Sequence, residues 1–76
     1  MKTDNIKVGM TLEMKQEVFI GCVHADGTPF SSPYVIVTAI KCKGHYKTPY
    51  IYNARGDAFK PRDFVAALDF QPIGAE

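Results

Sequence analysis

From Thr11 onward the alternation of apolar and polar positions has a short period and is interrupted repeatedly by turn residues. Thr11 to Met14 puts Leu12 and Met14 on one face and Thr11 and Glu13 on the other, the period-two pattern of a half-buried strand. Lys15 and Gln16 continue it weakly. Glu17 to Val23 stays β-like through Val18, Phe19, Ile20 and Val23. Residues 24–33 then read as one long loop, because Asp26-Gly27 offers positive φ without steric cost and Pro29 and Pro33 interrupt pairing. Tyr34 to Lys43 has the densest β-branched run and predicts the longest strand, apolar on both faces. A loop over Gly44–Pro49 leads to a short strand, Tyr50-Ile51-Tyr52. A tight turn at Asn53–Asp57 follows, with Gly56 suited to the left-handed position, and then a return strand at Ala58–Lys60. Pro61 fixes φ at the start of one 3₁₀ turn over residues 61–64. Val65 to Phe70 predicts a last strand; the alternative is a short helix capped by Asp63 and running through Leu68.

The chain has 76 residues, 46% hydrophobic and 22% charged, which suits one small core and excludes folds of repeated strand–helix units. Residues 1–5 and 71–76 are expected to be peripheral. The expected core is Leu12, Met14, Val18, Ile20, Val35, Val37, Ile51, Phe59, Phe64 and Leu68. The order of strands and loop lengths resembles an SH3-like small β-barrel over residues 6–70. Lys7-Val8-Gly9-Met10 is similar to the entry step of the Tudor, KOW and translation-protein branch of that superfold. The resemblance implies an all-β, single five-stranded barrel. It carries no ligand with it, since the acidic and aromatic motif of peptide-binding SH3 domains and the glycine spacing of KOW modules are missing, and there is no Trp.

Charge sharpens the picture. The net charge is +1, yet residues 41–62 hold Lys41, Lys43, Lys47, Arg55, Lys60 and Arg62 against Asp57 alone. Tyr46, Tyr50 and Tyr52 lie in the same stretch, together with His45. Cations contact phosphates and tyrosine faces stack on bases. Lys41, Lys43, Tyr46, Lys47, Tyr50, Tyr52, Arg55, Lys60 and Arg62 are therefore the candidate contact residues. The plainer alternative makes the lysines solvated edge charges and the tyrosines cross-strand packing partners.

Cys22, His24, Cys42 and His45 form two pairs of metal-competent side chains, a Cys₂His₂ set that zinc favours. Cysteine-x-histidine is a short spacing for chelating one ion, and two buried apolar cysteines with loop histidines explain the same residues. No cofactor is expected. The cysteines are expected to be reduced, with one disulfide open if they meet. No glycine-rich phosphate loop, nucleophile elbow or orienting third group accompanies the Cys and His residues, and so small a chain has little room to enclose a substrate. Arg55-Gly56-Asp57 spells an adhesion tripeptide but reads as turn chemistry. The sequence therefore points to a cytoplasmic, non-enzymatic binding module, either an accessory protein contacting nucleic acid or an interaction module docking on a larger cytosolic protein. It is expected to be a monomer or an edge-strand homodimer, with no membrane contact.

Overall fold

The structure, a computed structural model, describes residues 5–42, 44–45 and 47–76. In chain order the elements are β1 (Thr11–Met14), α1 (Gln16–Gly21), β2 (Tyr34–Ile36), β3 (Ala39–Lys41), β4 (Tyr50–Tyr52), β5 (Ala58–Phe59), a 3₁₀ turn (Pro61–Asp63) and β6 (Phe64–Leu68). They make two three-stranded antiparallel sheets, ordered β2-β1-β6 and β3-β4-β5.

This corrects the expected fold. The strands number six, in two open sheets with a helix, not five in a closed all-β barrel, and the SH3-like resemblance does not hold. The cause lies in the segment expected to be the longest strand. It divides at Val37-Thr38. Val37 donates to the Met10 carbonyl (2.9 Å) and accepts from Gly9 (2.8 Å), which keeps it with the first sheet. Thr38 donates its N–H to the Tyr52 carbonyl (2.8 Å), and its hydroxyl donates to the same oxygen (3.1 Å), which commits it to the second sheet. One apolar run thus serves two sheets, and the longest strand is β6 instead.

The second correction is α1, where β-branched composition predicted a strand. Val18, Phe19 and Cys22 share one side at helical spacing and pack against the core, while Ile20, expected in the core, points out and is 73% exposed. A helix this short gains little from its own hydrogen bonds. It is held from outside, by the packing of those side chains and by the Lys15 N–H, which donates to the Asp63 carbonyl (2.9 Å).

The core lies between the sheets. Leu12, Met14 and Val35 come from the first and Ile51 and Phe59 from the second, with Val37 at the crossing. Ile6, Phe30 and Phe64 complete it; Ile6 and Phe30 were not among the expected core residues. Leu68 is half-buried. The rings of Phe30, Phe59 and Phe64 form a chain, with centroids 5.7 and 5.6 Å apart in edge and tilted contacts. Phe64 is held by the 3₁₀ turn, whose Asp63 carboxylate accepts the Lys60 N–H (2.9 Å). Residues 24–33 form the predicted loop, closed by a bridge between Val23 and Pro29. The predicted turn at Gly56 is also present, with φ at +83°.

Removing the Phe64 ring opens the end of the ring chain, so Phe64→Ala is expected to cost about 3–5 kcal/mol, read by urea unfolding. A loss below about 1 kcal/mol would show that this end of the core can collapse around the missing ring.

Candidate functional site

The strand β4 sets the geometry of the second sheet. Ile51 is fully buried, so the alternation sends Tyr50 and Tyr52 to the opposite, outer face, where both are half-buried. The register pairs Lys41 with Tyr50 and Ala39 with Tyr52, and on the other side Tyr52 with Ala58. Phe59 is buried and Lys60 has extended backbone (φ −99°, ψ 150°), so the register carried one residue further sets Lys60 beside Tyr50. The outer face is therefore two rows: Lys41–Tyr50–Lys60, and Ala39–Tyr52–Ala58. Adjacent members of a row stand about 4.8 Å apart. Lys41 and Lys60 are exposed, and none of residues 39–41, 50–52 and 58–60 is acidic.

The other candidate contact residues divide around this face. Lys47 is exposed in the loop before β4, and Arg62 is exposed on the 3₁₀ turn after β5. Arg55 is taken elsewhere. It sits in the turn after β4 and bonds Asp26 (3.1 Å) and Glu76 (3.6 Å), so its charge is matched by carboxylates. Lys43 and Tyr46 lie outside the described residues.

The two Cys/His pairs are not brought together as a ligand set. His24 is buried with Nδ1 2.7 Å from an Asp57 oxygen and Nε2 3.2 Å from a Glu76 oxygen, so both ring nitrogens are occupied. Cys22 is half-buried at the end of α1; burial, then the nearby Asp63 and Asp57 carboxylates, raise its thiol above the usual value. Cys42 and His45 are exposed, and both cysteines are free thiols. Among the described residues no three His, Cys, Asp or Glu side chains form a metal-holding group.

The sequence did not reveal what surrounds His24. Its ring stacks on Phe30, with centroids 3.9 Å apart at 25°. Asn53, also buried, donates to the Asp57 carboxylate (3.0 Å) and accepts from the Arg55 and Asp57 N–H groups (3.1 and 2.9 Å). The cluster joins the long loop, the β4–β5 turn and Glu76. With its side chain 2% exposed and both nitrogens bonded, His24 does not present a base to solvent. Asn53 and Asp57 at turn positions were a readable signal. The 33- and 52-residue separations from His24 to Asp57 and Glu76 were not.

Among the described residues no helix is long and apolar enough to cross a membrane. Comparison with family models, with curated proteins and with solved structures found no match, so the chemistry of these surfaces carries the functional argument.

Burial works against ionisation of Asp57, but hydrogen bonds from Asn53 and His24 outweigh it and hold the carboxyl below the usual range. The sign follows: the stabilisation from Asp57 is fully present above the unfolded-chain value of about 4 and is lost as pH falls through the lower folded value. Urea midpoints of the native chain are expected to drop below about pH 4, and to drop less in Asp57→Asn.

Proposed function

We propose that this protein is a non-enzymatic module that binds single-stranded nucleic acid on the outer face of the β3-β4-β5 sheet. The observation that carries the reading is the pair of rows on that face. Tyr50 pairs with Lys41, the β4–β5 register continued by one residue brings Lys60 to its other side, and Tyr52 lies between two alanines, with no acid on any of the three strands. Tyrosines at i and i+2 on one strand stand about 6.5–7 Å apart, far enough for each to take its own base. Lys41 and Lys60 supply the charge for the phosphates, and Lys47 and Arg62 are exposed in the loop before β4 and the turn after β5. Small neighbours at Ala39 and Ala58 suit a flat ligand better than a pocketed one. The reading is of stacking with little sequence preference.

Salt separates this reading from protein docking on the same tyrosines. Affinity for a short oligonucleotide should fall steeply with salt. Lys41→Ala and Lys60→Ala should each reduce the log–log salt slope by about 0.7, as expected for one single-strand phosphate contact. Tyr50→Ala and Tyr52→Ala should each weaken binding by about 1–3 kcal/mol with the slope unchanged. Fluorescence anisotropy on variants with native thermal melting reads all four. Absence of binding to any single strand at low salt would end the proposal, and a salt-insensitive protein partner lost in the tyrosine variants would replace it.

A further inference from the structure

The hydrogen bonds around His24 constrain its protons. Its two nitrogens face carboxylate oxygens of Asp57 and Glu76, and a carboxylate can only accept. A neutral imidazole has one N–H and serves one of them. Asp57 is held in its ionised form by Asn53 and His24 against the cost of burial. Glu76 is surrounded by donors: besides the ring, the Ser31 N–H points at the same oxygen (3.4 Å) and the Arg55 guanidinium lies 3.6 Å from the other. Both contacts are satisfied together when the ring carries two protons. Asp26, on the long loop, also faces this site and pairs with Arg55. Phe30, stacked on the ring, brings no charge.

We propose that His24 is the bolt of a proton-operated latch, and that its doubly protonated ring holds residues 69–76 against β2. Glu76 is the only side chain of that segment bonded to the ring among the described residues, and its N–H also donates to the Tyr34 carbonyl (2.9 Å). Upstream, the Ser32 hydroxyl donates to the Gly74 carbonyl (2.7 Å). When the ring loses one proton it keeps the shorter bond to Asp57 and drops Glu76, leaving the segment on backbone contacts and Arg55. The segment carries Phe70 and Ile73, both exposed, so one ring proton decides whether two apolar side chains stand on fixed or loosened backbone.

The test is a pH titration of the full chain by NMR, following the His24 ring nitrogens and amide exchange in residues 69–76. After correction for intrinsic exchange, tail protection should fall about tenfold as the ring loses its second proton, the change expected for one charge-assisted hydrogen bond. Core amides in β1 and β4 should keep their protection. Glu76→Gln cannot form the ion pair, so its tail exchange should show no step at the ring's titration. The latch is refuted by a ring with one proton while the tail is fully protected. A tail step unchanged in Glu76→Gln also refutes it, as does loss of core protection together with the tail.

Discussion

A buried imidazole pinned between two carboxylates is the constraint on which the arrangement of this chain depends. Residues 24–33 form a long loop with little regular pairing, and the turn at Asn53–Asp57 belongs to the other sheet. His24 joins them through Asp57 and reaches residues 69–76 through Glu76. Its face lies on Phe30, the first ring of the aromatic chain that runs through Phe59 to Phe64. Polar bonds at the edge of the ring and apolar contact on its face thus work together. The cluster fixes where the loop enters the core, and the loop in turn supplies Phe30. No buried polar side-chain atom among the described residues is left without a partner, so the desolvation of these charges is met by hydrogen bonds.

The same constraint separates the charges of the molecule into two groups. Arg55 is drawn into the cluster by Asp26 and Glu76 and leaves the basic stretch to which sequence would assign it. The lysines of the second sheet have no acid among the residues of their own strands. A nearly neutral chain can therefore carry an internally matched cluster around Arg55 while the three strands of its second sheet hold lysines and no acid.

The local features were the legible ones. Asp26-Gly27, Gly56 and Pro61 announced their turns because φ is a property of one residue. Leu12 and Met14, and Ile51 between two tyrosines, announced their buried faces by alternation. Phe64 was expected in the core for its size beside a proline. What misled was composition used without position. Val18, Phe19 and Ile20 favour strands in isolation, but the spacing of Val18, Phe19 and Cys22 fits a helix edge, and packing decided. The run 34–43, free of Gly and Pro, did not mark where it divides, because the division is made by Met10 and Tyr52, partners distant in sequence. His24 suffered the same way: its neighbours along the chain suggested a ligand pair, and its neighbours in space are two acids.

Pairing of β1 with both β2 and β6 has a consequence for how the chain comes into being. Residues 11–14 form the central strand of their sheet, and one of their two partners is residues 64–68, near the far end. During synthesis β1 and β2 are complete long before β6, while β3, β4 and β5 can assemble from contiguous sequence. Until the last strand emerges, the nascent chain carries one bare side of β1, with Leu12 and Met14 only partly covered and Phe64 missing from the core. A product ended by premature termination ahead of residue 64 would contain the strands of the second sheet and their tyrosines but lack the Phe64 ring that packs on Phe59. It would also carry an unpaired, apolar strand, the kind of edge that recruits other chains. Pairing of β6 thus covers the bare side of β1 and brings Phe64 to the core, leaving β2 and β6 as the edges of that sheet.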